Sequence, residues 1–383
     1  MKIESALNIS DLRLRSMRRL PRALFEYVDR GAEDEAALRA NRSALDAIKL
    51  RPRILRNVAK RSLATNLFGR PMALPIAVAP TAVAGMLWHN GDVLSARAAA
   101  AQGIPYTLST FSVTSLETVA EGAPGARLWF QLYVLEDRDH VRTLVRRAAA
   151  AGYEALVLTV DGVIAPKREY NARNGFGIPI QVGPRIALDF VLHPRWLLGV
   201  AARYKLTTGI PDIAHAPVNP NPEKAPRTRH YKADPSIDWA TVKELREHFP
   251  GKLIVKGILH PEDAKLALAA GVDAIVVSNH GGRNLDASLA TIDALPDIVE
   301  VASGKLPVLV DSSFQRGSDV VKALAMGASA VLVGRSILWG VASFGEPGVR
   351  HAIGILAEEI DRVMAQTGCS TIEGISRQVL WRR

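Results

Sequence analysis

The sequence predicts an α/β protein, a (β/α)8 TIM barrel with a helical N-terminal cap and a long insertion between the fourth and fifth strands. Eight short apolar runs alternate with stretches rich in alanine and charged residues, as expected of strands alternating with helices. The runs are continuously apolar, which is typical of parallel strands buried on both faces. Polar residues close each run, at the end where barrel enzymes assemble their sites. The predicted strands are 75–79, 106–109, 128–133, 155–160, 253–256, 274–278, 308–311 and 330–333.

The segments between the runs have the amphipathic spacing of helices. A doubly wound open sheet is the alternative arrangement for alternating strands and helices, but no Gly-x-Gly-x-x-Gly follows the first strand. We therefore prefer the barrel. The clearest predicted helices are 91–102, 137–151, 261–270 and 318–326.

We expect residues 1–383 to form a single domain, with its barrel at 71–383. Two regions of this domain lie outside the alternation of strands and helices. Residues 1–70 predict a helical cap, in which Leu20-Pro21 opens an amphipathic helix. The second region is an insertion at about 177–235, which is rich in proline and too long for a loop without a purpose.

Within the insertion, residues 185–204 combine bulky apolar side chains with arginine and lysine. An interfacial membrane helix has this composition, and an ordered lid or a subunit contact is the alternative. Residues 217–229 are expected to be flexible.

The composition, 48% hydrophobic and 22% charged residues, fits a globular protein. The net charge of +10 is spread along the chain, and no zinc-finger spacing or aromatic RNA-binding signature accompanies it, so nucleic acid is not an expected partner. One cysteine, Cys369, excludes an internal disulfide and favours a cytoplasmic setting. The start of the chain has no apolar signal segment, and no window approaches 18 apolar residues.

The most specific stretch is Ser-Asn-His-Gly-Gly-Arg-Asn-Leu-Asp at 278–286, directly after the sixth apolar run. His280 can take a proton near neutral pH, and Arg283 can hold a carboxylate through two parallel hydrogen bonds. The two glycines predict close approach of a ligand to the backbone. A base and an anion clamp at the end of a barrel strand indicate oxidation or proton abstraction on a small acid.

The other strand ends add hydrogen-bonding groups and positive charge. Lys256 supplies a fixed charge, and the loops with Gly317, Gly334 and Arg335 lie where such barrels hold a phosphate. Small hydroxyl and amide groups suit the edge of a planar heterocycle; they belong to Thr81, Ser109, Gln131 and Thr159. A heterocycle with a phosphate indicates a nucleotide-like cofactor. The sequence has no cluster of metal-ligand spacing, so we do not expect a metal.

With these residues in place, the chain resembles the FMN-dependent L-2-hydroxyacid oxidase/dehydrogenase family, which includes glycolate oxidase, lactate dehydrogenase and mandelate dehydrogenase. The resemblance extends from Leu20-Pro21 through Gly31-Ala32-Glu33-Asp34 to Gly334-Arg335, and the nonapeptide differs from the family's only at Asn284, where glutamine is usual. Residues 128–134, 193–196 and 318–324 are similar to mandelate dehydrogenase and the bacterial lactate dehydrogenases. The resemblance implies FMN as cofactor and a homotetramer.

It also implies a mechanism, in which His280 is the base, Asp161 orients it, and two electrons pass from a 2-hydroxy acid to the flavin. Lys256 would lie beside flavin N1 and the C2 carbonyl. The implied substrate-binding residues are Tyr27, Tyr133, Arg168 and Arg283. The other implied cofactor contacts are Pro80, Thr81, Ala82, Ser109, Gln131, Thr159, Ser278, Asp311, Ser312, Ser313, Gln315, Gly334 and Arg335.

Three departures from the family pattern affect these expectations. Ser313 replaces a glycine that approaches the phosphate, and Gln315 replaces an arginine that contacts it, so flavin retention would be weaker and Arg335 would carry more of the phosphate charge. Ala82 stands where membrane-bound dehydrogenases often have glycine and oxidases have alanine.

Several alternatives stay open at this point. The electron acceptor is a quinone in a dehydrogenase and oxygen, giving peroxide, in an oxidase, and a non-catalytic flavin barrel is a third reading. Aromatic, aliphatic and peptide-derived 2-hydroxy acids all fit as substrates. The relatives' membrane attachment through the insertion implies a place on the inner face of the cell membrane.

Overall fold

A computed structural model describes residues 2–176, 183–209, 211–217 and 232–381. Eight parallel strands close into a barrel, with β8 paired to β1, as the sequence predicts. The observed bounds are β1 Ile76–Thr81, β2 Tyr106–Ser109, β3 Leu128–Leu132, β4 Ala155–Thr159, β5 Lys252–Ile258, β6 Ala274–Val277, β7 Val308–Val310 and β8 Ala330–Val333.

Buried apolar side chains form two clusters, one between the strands and the surrounding helices and a smaller one that fills the barrel. The smaller cluster includes Trp129, Val157 and Ile254. Because side chains alternate along a strand, the next residues on the same face are polar. Gln131 and Lys256 are two of them. This alternation directs the polar strand ends into the mouth of the barrel.

The four clearest predicted helices are present, each within one residue of its predicted ends. Side chains of Ser115, Asp137 and Asp238 cap three of the barrel helices by accepting backbone N–H groups. The main helices around the barrel are Gly91–Ala101, Leu116–Gly122, Arg138–Ala150, Trp239–His248, Pro261–Ala269, Thr291–Ala302, Gly317–Ala325, Arg335–Phe344 and Glu346–Thr367. The shorter helical turns are Ile3–Ser5, Ala84–Leu87, Glu169–Arg173 and Arg377–Val379.

The N-terminal cap is helical only in part. Its helices are Ile9–Arg19, Arg22–Asp29 and Ala36–Ala47, with Leu20-Pro21 before the second. The helical prediction is wrong beyond Ala47, since short strands follow: Lys49–Leu50 pairs with Leu380–Trp381, and Thr65–Leu67 pairs with Arg70–Met72.

The second pair is a tight hairpin. Phe68 and Gly69 both have positive φ at its turn, as a type I′ turn requires. Leu67 and Met72 pack into the cluster that fills the barrel. The hairpin therefore closes the end of the barrel opposite its polar mouth.

In the insertion, the predicted helical stretch is helical but interrupted at His193, before Pro194. Its segments are Pro184–Leu192, Pro194–Trp196, a π-helical turn Leu197–Ala202, and Arg203–Thr207. Of the predicted flexible stretch 217–229, residues 218–229 lie outside the described residues. No helix in the described part of the chain combines the length and apolar character needed to cross a membrane.

Candidate active site

A cavity of about 640 Å³ opens at the polar mouth of the barrel. All but two of the predicted site residues line it. The two exceptions, Asp161 and Ser278, lie directly behind the lining, where they hydrogen-bond to His280 and Lys256 respectively. All eight strands contribute to this one cavity, either through residues near their C-terminal ends or through the loops that follow them.

His280 lies between a carboxylate and a phenol. Its Nδ1 is 2.9 Å from Asp161 Oδ1, and its Nε2 is 3.1 Å from the Tyr133 hydroxyl. A Nδ1–H donated to the carboxylate leaves Nε2 free to accept a proton. The backbone N–H of His280 donates to Ser278 Oγ at 3.0 Å, which holds the residue in a left-handed conformation with φ +60°.

The electrostatics keep this pair ready to act as a base. Burial lowers the pKa of His280, although the Asp161 charge opposes the shift. Burial alone would raise the pKa of Asp161, but the charge that His280 carries when protonated and the charge of Lys256 outweigh it and lower the pKa. The ring is thus neutral and the carboxylate ionised near neutral pH.

Two residues that sequence reasoning did not assign hold Asp161 in place. Gly257 has φ +115°, and a Cβ there would lie 2.7 Å from Asp161 Cβ. Asn284 Nδ2 donates to the backbone carbonyl of Asp161 at 2.8 Å. The one departure in the nonapeptide therefore has a physical role, because asparagine still ties this loop to the partner of His280.

Arg168 and Arg283 line the cavity together. Arg168 Nε and Nη2 each donate to the Arg283 carbonyl at 3.3 Å. Arg283 Nη1 donates to the carbonyls of Tyr27 at 2.6 Å and Arg30 at 3.0 Å, and its guanidinium lies 5.0 Å from the Tyr27 ring centre. Burial and then the Arg283 charge lower the pKa of Arg168. An anion between the two guanidinium groups would relieve this repulsion.

Lys256 is almost fully buried at the end of β5. Its Nζ donates to Ser278 Oγ at 2.7 Å and lies 3.1 Å from Asp311 Oδ2. Burial would lower the pKa of Lys256, but the charges of Asp311 and Asp161 outweigh it and raise the pKa. A permanent positive charge therefore stands at the floor of the cavity.

Buried polar atoms without a protein partner test whether a flavin fits this cavity. Gln131 Oε1 accepts from Ser109 Oγ at 3.1 Å, whereas Gln131 Nε2 and Thr159 Oγ1 have no partner among the described residues. Buried polar groups are normally hydrogen-bonded, so these atoms indicate a ligand. The polar edge of the isoalloxazine ring of FMN carries acceptors and donors of the matching kind, and Lys256 is the register partner of Thr159 on the neighbouring strand.

Arg335 lines the part of the cavity where the phosphate of FMN is expected. This residue is partly buried, and its Nε donates to the Val28 carbonyl at 3.1 Å. Burial and then the charge of Arg283 lower the pKa of Arg335 to about 10. Arg335 is thus a cation with few countercharges, which suits the phosphate group of FMN.

The two glycines of the nonapeptide lie close to other parts of the protein. A Cβ on Gly281 would lie 2.8 Å from Arg335 Nη1, and a Cβ on Gly282 would lie 2.5 Å from the backbone nitrogen of Leu38. Both glycines therefore make room for protein groups, the Arg335 side chain and the third cap helix, and Gly281 also lines the cavity. The sequence did not show that the cap approaches this loop.

The cap is also tied to the nonapeptide by buried polar contacts. The side-chain amides of Asn41 and Asn279 hydrogen-bond reciprocally at 2.8 and 2.9 Å. The Asp286 carboxylate accepts from the backbone N–H groups of Asp34 and Ala37, at the start of the third cap helix. These contacts fix the loop that carries His280 and Arg283.

Backbone strain marks the loop after β7. Ser312 and Ser313 have φ +87° and +62°, in the region that favours glycine. Replacing Ser313 with glycine removes a left-handed penalty of about 1–2 kcal/mol, offset by about 0.5–1 kcal/mol of backbone entropy. We expect Ser313→Gly to stabilise the protein by up to about 1 kcal/mol and to lower the FMN dissociation constant.

Chemical denaturation and FMN titration of the flavin-free protein measure both effects. Ser303→Gly is the matched control, because Ser303 has φ +47° at the exposed end of another helix. It should change stability alone. Weaker FMN binding by Ser313→Gly would contradict the role assigned to this loop.

The fold and the site define a class of protein: a TIM barrel whose mouth offers a nucleotide-type cofactor a cavity lined by a buried lysine and by a histidine paired with an aspartate. A sequence profile described as FMN-dependent dehydrogenase matches residues 16–382. The chain belongs to this FMN-dependent dehydrogenase family, as expected from the nonapeptide and the strand ends.

Individual relatives are similar over nearly their whole length. (S)-Mandelate dehydrogenase of Pseudomonas putida is 39% identical over 379 residues, covering 98% of this chain and 94% of the relative. L-Lactate dehydrogenase of Pseudomonas paraeruginosa is 42% identical over 374 residues, covering 97% of each chain. The crystal structure of monotopic membrane protein (S)-mandelate dehydrogenase superposes with a TM-score of 0.91 at 38% identity, covering 98% of this chain and 99% of that one.

Proposed function

We propose that this protein oxidises an L-2-hydroxy acid to the 2-keto acid and passes the electrons to a quinone-type acceptor at a membrane surface. One observation carries the proposal: Tyr133 and His280 line the same cavity as the Arg168–Arg283 pair, and Asp161 hydrogen-bonds to His280 from behind the lining. A base and an anion clamp are thereby available to one small acid.

Each side chain has a distinct task in this reaction. Arg168 and Arg283 bind the substrate carboxylate, and the Tyr133 hydroxyl hydrogen-bonds the substrate near its hydroxyl carbon. His280 Nε2 takes a proton from the substrate, while Asp161 stabilises the imidazolium that forms. FMN, when bound, supplies the two-electron acceptor chemistry. Lys256 and Arg335 supply the charges that hold it.

The wall beside this array favours a substrate with an apolar side chain. The Phe111 ring lies 5.0 Å from that of Tyr133, and Val163 and Ile164 line the same cavity. Mandelate and lactate, the substrates named for the two relatives, both satisfy this condition. Anaerobic mixing of the holoenzyme with mandelate, lactate and glycolate, followed by bleaching of the flavin absorbance, ranks them. Failure of all three to reduce the flavin would overturn the proposed oxidation.

The insertion supports the membrane acceptor. Its helical segments bury Ile186 and Trp196 and expose five aliphatic side chains by 61–85% of their surface. These exposed side chains are Leu188, Val191, Leu192, Leu198 and Leu206. Aliphatic side chains on a basic helical segment are typical of an interfacial helix.

Oxygen is the second candidate acceptor. Ala82 lines the cavity just after β1, at the position where oxidases of the family have alanine. Parallel assays of substrate-dependent peroxide formation and of reduction of a soluble quinone distinguish the two. Stoichiometric peroxide with no quinone reduction would make the protein an oxidase.

The pH profile follows from the direction of the His280 shift. The base must be neutral in the free enzyme, and its pKa lies below the ordinary value of about 6.5. We therefore expect kcat/KM to be constant above about pH 6.5 and to fall about tenfold per pH unit well below the shifted pKa. Steady-state rates between pH 4.5 and about 9 test this, with flavin content checked at each pH. A rising limb centred above neutrality would contradict the assignment.

A further inference from the structure

A second large cavity, of about 840 Å³, lies away from the barrel mouth. It is bounded by the first cap helix, the insertion and the end of helix Arg335–Phe344. Five arginines line it, and no aspartate or glutamate is among its lining residues. We call it the arginine pocket, and its arginines are Arg15, Arg18, Arg19, Arg195 and Arg203.

No carboxylate within the described ranges forms a salt bridge with any of these five side chains, although most arginines elsewhere are paired. Burial and then the Arg195 charge lower the pKa of Arg15. Burial and then the charges of Arg15 and Arg195 lower the pKa of Arg19 to about 10. Unneutralised, mutually repelling cations are stabilised by an anion that lies between them.

Two of the guanidinium groups are held in fixed positions. Arg19 Nη1 donates to the carbonyls of Leu87 and Ala342, each at 3.0 Å, and Arg19 lies 4.2 Å from the Trp88 ring centre. Arg15 lies 4.1 Å from the Phe344 ring centre. These contacts orient the groups and leave other N–H donors free for a ligand. Planar, pre-oriented guanidinium groups match phosphate oxygens in geometry.

The rim of the pocket indicates where such an anion would come from. Leu192 lines the pocket and is 67% exposed, and Leu198 is 68% exposed beside Gly199, another lining residue. A soluble phosphate would leave these apolar side chains in water. A phospholipid would cover them with its acyl chains while its phosphate entered the pocket.

We propose that the arginine pocket binds the phosphate group of an anionic phospholipid and so links the cap, as well as the insertion, to the membrane. This inference rests on the proposed association with a membrane surface. It assigns to the cap helix a lipid-binding role that its position in the fold does not by itself imply.

Sedimentation of the holoenzyme with vesicles tests the proposal. One set contains phosphatidylcholine alone, and the other contains phosphatidylcholine with phosphatidylglycerol. We expect tighter binding to the second set and, for Arg18→Gln combined with Arg195→Gln, a loss of about 30-fold in affinity for it. Neither side chain lies in the active site, so oxidation of the substrate should be unchanged. Arg18→Lys with Arg195→Lys keeps the charge and should recover most of the binding.

The charge-matched control is Arg146→Gln with Lys243→Gln, since both residues are exposed on helices that do not line the pocket. It should bind vesicles like the wild type. Equal binding by the control and the Arg18/Arg195 variant would contradict lipid binding by the arginine pocket. It would leave the proposed membrane contact of the insertion unaffected. A wild type that binds neither set would overturn both. Displacement by inorganic phosphate, but not by chloride at equal ionic strength, would assign the pocket to a soluble anion instead of a lipid.

Discussion

Replacing His280 with asparagine should lower kcat by about 10²–10⁴-fold, the contribution expected of a general base. Asparagine is the appropriate replacement because His280 has φ +60°, a conformation that asparagine tolerates better than most residues. The substitution removes the group that faces Tyr133 and Asp161 and leaves the arginine pair in place. Single-turnover reduction of the flavin measures the effect on the chemical step directly.

The control for this substitution is His260→Asn. His260 is exposed and caps a barrel helix through its side chain, which asparagine can also do. This variant should keep wild-type activity and flavin content. If His280→Asn retained more than about a tenth of wild-type kcat, the base would have to be another residue.

Replacing Lys256 with methionine should reduce the free energy of unfolding by about 3–5 kcal/mol, because it leaves the Asp311 carboxylate buried without its cation. Ser278 Oγ also loses its donor. The loss is measured by urea denaturation of the flavin-free protein, so that bound cofactor does not contribute. We expect Lys256→Met combined with Asp311→Asn to recover part of the loss, because the unpaired charge is removed.

The same strand provides the matched control. Lys252 lies at the other end of β5 and pairs with Asp273 at 2.9 Å, but its side chain is 43% exposed. Lys252→Met should therefore cost no more than about 1 kcal/mol. Equal losses from the two variants would show that burial of the Lys256–Asp311 pair has no special energetic effect.

The barrel was predictable because its signals are local. Continuous apolar runs specify parallel strands, and the polar residue that ends each run marks the mouth. His280, Lys256 and Gln131 could be placed there from strand ends alone, without knowledge of any long-range contact. Their roles in catalysis stay predictions that the substitutions above test.

Features that depend on distant parts of the chain were not predictable in this way. The contact between Gly282 and Leu38 joins residues more than two hundred positions apart, and nothing in the nonapeptide indicates which element would pack on its glycines. Likewise, the hairpin at Thr65–Leu67 depends on the space that the barrel leaves for Leu67. The amino-acid composition of the cap, which favours helices, did not indicate this hairpin.

The bonding of the nonapeptide to the cap has a consequence for tolerance to mutation. Asn41 touches no part of the cavity, yet it holds Asn279, which shares a loop with His280 and Arg283. We therefore expect inherited or engineered changes at cap residues such as Asn41 to lower activity without altering any residue that lines the cavity. Screens that inspect only the lining of the active site would classify such changes as neutral.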